Sequence, residues 1–154
     1  MAAASLTPEQ VDFEEAWTGE FYQAADSLNW DRWSTFFSED AEFTFANAPT
    51  VRGLAEIGPF VQATLGTFSL MSHNLTRFSF DVEKQLNYHS AQVTYALHSS
   101  IDPELQKITV PGVGIITKRF GERKLTKYEV YIDTSPVQAR AKELLAAKAA
   151  AEPK

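Results

Sequence analysis

The chain has 154 residues, of which 44% are hydrophobic and 12% aromatic. That is enough for one domain and its core, and not the composition of a disordered chain. The net charge of −6, with no cluster of Lys or Arg, argues against nucleic acid as a partner and against an anionic membrane surface. The absence of Cys removes disulfides, thiolate metal sites and a Cys nucleophile.

The opening MAAASLTPEQ has no basic stretch followed by an apolar one, and no apolar run reaches membrane-spanning length. A cytoplasmic protein is expected, with NLT at Asn74–Thr76 a chance match to a glycosylation acceptor. One domain should occupy residues 1–154, with 1–7 and the stretch from 148 to 154 as flexible ends.

Thr7-Pro8-Glu9-Gln10 predicts a helix start: Thr7 caps, Pro8 fits the first turn and Gln10 completes a capping box. Phe13, Trp17, Phe21, Ala24 and Leu28 then form one apolar stripe. NWDRWSTFFSED predicts a short second helix with Trp30, Trp33 and Phe37 inward. AEFTFAN predicts a strand followed by a turn in APTVRG. LAEIGPFVQATLG predicts a third helix interrupted at Gly58-Pro59 and closed by Gly66.

From about Phe68 to Asp133 the pattern alternates with period two. Four long antiparallel strands are expected, separated by turns at KQLNYH, DPEL and FGERK. The tail starts with Ser135 as cap and Pro136 in the first turn, and continues as an Ala-rich helix. The fold class is α+β. A curved antiparallel sheet wraps round the long first helix as a cone, whose open end suits a small apolar ligand.

This order, with DSLNWDRWSTFFSEDAEFTF, Gly53, MSHNLTRF and YEVYID, resembles the NTF2-like superfamily, and within it the SnoaL-like and scytalone-dehydratase-like members. The resemblance runs roughly from Phe13 to Pro136. It implies a cone-shaped barrel and a homodimer, and no cofactor is expected. It also implies a superfamily range that spans isomerases, dehydratases, cyclases, epoxide hydrolases and non-catalytic proteins.

Each relative maps differently onto the chain. The ketosteroid-isomerase pattern places Phe21 and Phe45 where a Tyr and an Asp would act, and Phe neither donates a hydrogen bond nor takes a proton. The limonene-epoxide-hydrolase pattern matches Asp133 at the end of the last long strand, but lacks its Arg-x-Asp partner. Scytalone dehydratase is most similar. Asp26 and His73 match its Asp and first His, His98 stands near its second His but out of register, and Ala25 and Phe45 occupy its Tyr positions.

The candidate catalytic residues are therefore His73, Asp133, Asp26 and His98. A neutral imidazole in an apolar cavity shuttles protons near neutral pH. His73 is off the parity of Phe78 and Phe80, so it shares their face only if a bulge intervenes. Asp133 reads either as a carboxylate at a pocket mouth or as a corner residue. Ser135, with Gln138 three residues on, already offers a cap.

Asp26 lies off the apolar stripe, and only the resemblance turns it inward. His98 shares parity with Gln92 and Thr94 and so faces outward. His89, in NYH, reads as a solvated loop residue. No His-x-His spacing supports a metal. PGVG at 111–114 reads as a strand kink.

Trp17, Phe21, Trp33, Phe45, Phe60, Tyr95 and Tyr131 are expected to line the pocket, though aromatics at such spacings serve a core equally well. Two functions fit. One is a cofactor-independent lyase or isomerase for a small, largely apolar, oxygenated molecule. The other is a non-catalytic binding or dimerisation module of the same fold.

Overall fold

The computed structural model describes residues 4–99 and 106–151. Helix α1 (Pro8–Asp26) starts as its sequence dictates, with Thr7 and Gln10 capping each other reciprocally. A four-residue helix α2 (Trp30–Trp33) and a 3₁₀ turn (Ser34–Phe36) lead into β1 (Phe37–Phe45). Two residues of the expected turn form a short strand, β2 (Val51–Arg52). Helix α3 (Leu54–Leu65) follows, then β3 (Phe68–Asp81), β4 (Leu86–Leu97), β5 (Ile108–Thr117), β6 (Leu125–Ile132) and α4 (Ser135–Ala151).

The strands form one open, curved six-stranded sheet in the order β2-β1-β6-β5-β4-β3. Strands β3 to β6 are antiparallel neighbours as expected, whereas β1 joins β6 in parallel. Helix α1 packs on the inner face, where it meets an aromatic core. Phe21 is fully buried, with the rings of Trp17, Trp33, Phe37 and Tyr128 centred 5.5, 5.5, 5.8 and 5.1 Å away. These are spacings at which aromatic pairs attract.

Four local expectations are corrected. Helix α3 runs through Gly58-Pro59 without a break. Proline removes one backbone donor, and Ala55, whose carbonyl would have accepted it, lies on the exposed side. PGVG is regular β5, with Gly112 opposite Ala91 and Gly114 opposite His89.

Ser135 is the first helical residue of α4 and not its cap. The turn between β3 and β4 occupies Val82–Gln85, so NYH belongs to β4. The DPEL turn lies outside the described residues.

A bulge does interrupt β3. Leu75 pairs with Ala91 and Arg77 with Ser90, which leaves Thr76 as the extra residue. His73 and Leu75 before it therefore share a face with Phe78 and Phe80 after it.

Candidate active site

Helix α1 carries a second line of residues beside its apolar stripe. Glu14, Thr18, Tyr22 and Asp26 recur at intervals of four. Each step advances about 40° round the helix, so the four form a slowly winding row that faces the sheet. Every member finds a polar partner there.

Glu14 takes the Lys118 ammonium at 2.6 Å, with both side chains 1% exposed. The Asn87 amide donates to Thr18 Oγ1 at 2.8 Å. Tyr22 Oη lies 2.5 Å from His89 Nε2 and 2.9 Å from Tyr128 Oη. Asp26 receives His73.

The Asp26–His73 contact is double. Oδ2 accepts the His73 backbone amide at 2.9 Å, and Oδ1 lies 2.6 Å from ring Nδ1. A carboxylate only accepts, so Nδ1 carries the hydrogen and Nε2 of the neutral ring is left as a lone pair. No partner occupies Nε2 among the described residues. The ring stacks on Tyr22 at 4.3 Å between centroids.

His73 and His89 border one cavity of about 220 Å³, together with Tyr22, Tyr128 and Tyr95. It is smaller than the usual small-molecule site, which runs from about 300 Å³ upward, and so suits only a small ligand. Its other walls are apolar. Phe60, Val61 and Leu65 come from α3, Phe68 and Met71 from the start of β3, and Phe43 and Phe45 from β1.

Burial sets the protonation states. The His89 ring is 3% exposed, and desolvation, helped by the neighbouring His73, brings its pKa down to about 4. Desolvation pushes Tyr95 up to about 12, with the Asp26 charge adding to it. Tyr22 and Tyr128 are raised further, again chiefly by burial. Near neutral pH the site therefore holds a neutral His89 and three protonated tyrosines.

The two imidazoles differ in what stands behind them. A carboxylate supports a positive charge on His73, whereas an amide and a phenol surround His89. Among the described residues no group of three or more His, Asp or Glu side chains could hold a metal ion.

A family model described as the SnoaL-like domain matches residues 19–126. The chain belongs to the SnoaL-like domain family.

Several solved structures share the fold. One is a protein provisionally named a SnoaL-like polyketide cyclase from Jannaschia sp. CCS1, 15% identical, with 89% of this chain and 96% of that one covered and a TM-score of 0.65. Another is a Catenulispora acidiphila protein with a ketosteroid-isomerase-like fold, 18% identical over 87% of this chain and 92% of that one, TM-score 0.63. A third is an NTF2-like protein from Anabaena variabilis, 12% identical over 86% and 96%, TM-score 0.67. At such identities the likeness is one of fold. No curated protein matches the chain.

In this SnoaL-like domain the four expected catalytic residues separate. His73 borders the cavity, and Asp26 bonds its ring from behind without lining the cavity itself. Asp133 is fully exposed at the β6–α4 corner, where Oδ1 accepts the Ser135 amide at 3.0 Å; that bond holds its pKa below the usual carboxylate range. His98 is exposed just beyond the end of β4.

Trp33, Phe45, Phe60 and Tyr95 border the cavity. Trp17 and Phe21 lie in the core behind it, and Tyr131 is 58% exposed on the opposite sheet face.

His89 is corrected from a solvated loop residue to a buried member of the cavity wall. Its misplacement has a physical cause. The inward positions at the start of β4 are Asn87 and His89, so the polar residues of the alternation face the core and mimic a turn. Tyr22 and Tyr128 were not singled out by sequence reasoning at all. The available signal for Tyr22 was the four-residue spacing of Glu14, Thr18, Tyr22 and Asp26, a line of side chains with polar heads along a helix otherwise read by its apolar stripe.

Proposed function

We propose that this SnoaL-like domain is a cofactor-independent acid/base enzyme for a small, largely apolar, oxygenated molecule. Dehydration, isomerisation and cyclisation are the reaction types that fit. The observation that supports this reading is His73 bordering a largely apolar cavity with Asp26 bonded to its ring from behind. The His73 Nε2 lone pair takes a proton from the bound molecule, and the Asp26 carboxylate stabilises the imidazolium that forms. The ring then returns the proton to an oxygen or carbon of the product. The Tyr95 hydroxyl and the free lone pair of the Tyr128 oxygen, both in the cavity wall, orient the oxygenated end of the ligand.

The test is a screen of small hydroxy-ketones in D₂O by proton NMR, following loss of water or exchange of the protons beside the carbonyl. Wild type should act on at least one compound. His73→Ala should lower that rate by about 10²–10⁴-fold with its melting curve retained. An unchanged rate in His73→Ala would remove the acid/base role.

One observation favours the second reading, a binding module without turnover. His89 is bonded to Asn87 through Nδ1 and to Tyr22 through Nε2, and Tyr22 to Tyr128, which leaves His73 as the imidazole of the cavity free to carry a proton. Under that reading the same compounds bind and none changes.

We also propose that a second copy of the chain covers the outer sheet face. There Tyr131, opposite Val113, is 58% exposed, Val113 41% and Tyr88 37%. Sedimentation equilibrium should show a dimer that Val113→Lys weakens.

A further inference from the structure

The tyrosine pair is joined to helix α1 by a chain of hydrogen bonds, and its direction can be read from the far end. Thr18 Oγ1 lies 2.6 Å from the Glu14 carbonyl oxygen. A carbonyl accepts only, so the Thr18 hydrogen is committed there. The same hydroxyl oxygen must then accept from Asn87 Nδ2 at 2.8 Å. This fixes the orientation of the Asn87 amide and turns its carbonyl Oδ1 toward His89 Nδ1, 3.2 Å away.

An acceptor at that point puts the ring hydrogen on Nδ1. His89 is held neutral by burial, so Nε2 is a bare acceptor. The Tyr22 hydroxyl donates to it at 2.5 Å. Tyr22 has then used its only hydrogen, so Tyr128, 2.9 Å away, donates to Tyr22. All the hydrogens run one way, from Tyr128 toward α1. The free end of the chain is a lone pair on the Tyr128 oxygen, in the wall of the cavity.

We propose that Thr18 and Asn87 are specificity-determining positioning residues. By holding His89 in its Nδ1–H tautomer they make the Tyr22–Tyr128 pair a hydrogen-bond acceptor, so that the cavity wall at Tyr128 favours ligands presenting a hydroxyl or another donor there over isosteres that offer only a carbonyl oxygen. Neither residue touches the ligand. Both act through the ring of His89.

The inference rests on reading this cavity as a ligand site, but its first readout needs no ligand. Nitrogen-15 NMR of the unliganded protein at neutral pH should show His89 with its hydrogen on Nδ1. Thr18→Val keeps the shape and removes the acceptor for the Asn87 amide. The amide is then free to rotate, and His89 should shift toward the Nε2–H tautomer. Thr18→Ser restores the hydroxyl and should restore the wild-type spectrum. A purely structural role for Thr18 would not move the tautomer.

The second readout uses benzyl alcohol and benzaldehyde as probes of similar size, with binding followed by chemical-shift titration. Wild type should prefer the alcohol by about tenfold, the worth of one hydrogen bond in a buried site, and Thr18→Val should lose most of that preference. An Nε2–H His89 in wild type, or a Thr18→Val spectrum equal to wild type, overturns the directional chain. Equal binding of the two probes, or binding of neither, overturns the selectivity. Failure of the acid/base reading at His73 leaves the nitrogen spectrum unchanged, so the two failures are separable.

Discussion

Asp26 holds His73 with both carboxylate oxygens, one on the backbone amide at 2.9 Å and one on ring Nδ1 at 2.6 Å. The last residue of α1 thus sets both the position of β3 and the tautomer of the ring. Asp26→Asn keeps a single acceptor and no charge. It should cost roughly 1 kcal/mol of stability, because one of two bonds survives in a partly exposed pair. Turnover should fall by about 10² or more, since nothing then supports an imidazolium. The effect should appear in kcat with KM nearly constant; a change confined to KM would make Asp26 a binding residue instead.

His89 makes stability depend on acid. Its folded pKa of about 4 lies below the ordinary 6.5. Between these values the unfolded chain takes up a proton that the folded chain refuses. Stability is therefore full above 6.5, falls as pH drops, and reaches its lower plateau near 4. The whole shift is worth about 3 kcal/mol at most. Urea unfolding at several pH values should show a steeper acid loss in wild type than in His89→Gln, with the carboxylates common to both cancelling. Parallel curves would mean that the ring is not held neutral.

Gly114 should resist substitution where Gly112 does not. A methyl at Gly114 would overlap His89 Nε2 and come within 2.7 Å of Tyr22 Oη, whereas one at Gly112 meets Ile132 Cδ1 at 3.4 Å. The bare backbone of Gly114 gives the Tyr22–His89 bond its room. Gly114→Ala should cost about 1–3 kcal/mol by overpacking and disturb the His89 nitrogen resonances, with Gly112→Ala much closer to wild type. Thermal melts and the same spectra decide it.

Glu14 and Lys118 form a buried clasp at the other end of α1. Glu14 Oε1 also accepts the Gly121 amide at 3.1 Å, and Lys118 Nζ reaches the Glu122 carbonyl at 2.6 Å, 4.8 Å from the Trp17 ring centre. Burial lowers the Lys118 pKa and the Glu14 charge opposes that shift. Glu14→Gln strands the ammonium and should cost about 3–5 kcal/mol. Replacing both residues by Met should cost much less. Equal losses in the single and double variants would contradict the pairing.

The fold was legible from helix punctuation and strand alternation because both reflect one apolar face per element. The site was legible only in part. Asp26 sits off the apolar stripe, and it was the resemblance, not periodicity, that placed it with His73. The parity conflict at His73 correctly required a bulge, which Thr76 supplies.

Alternation could not tell whether the end of β6 meets the cavity or the solvent, so Asp133 stayed ambiguous until its bond to Ser135 was seen. His89 and Tyr22 escaped because sequence patterns treat buried polar residues as surface. Their burial depends on partners 67 and 106 residues away along the chain, which no local window contains.

The cavity divides its labour between elements. Helix α3 contributes Phe60, Val61, Thr64 and Leu65 to the wall and none of the hydrogen-bonded groups of the α1 row. One part of the wall that would shape a ligand therefore stands on a stretch of chain apart from the Asp26–His73 pair. A variant library confined to those four positions would change the shape of the cavity while leaving the Asp26–His73 pair intact.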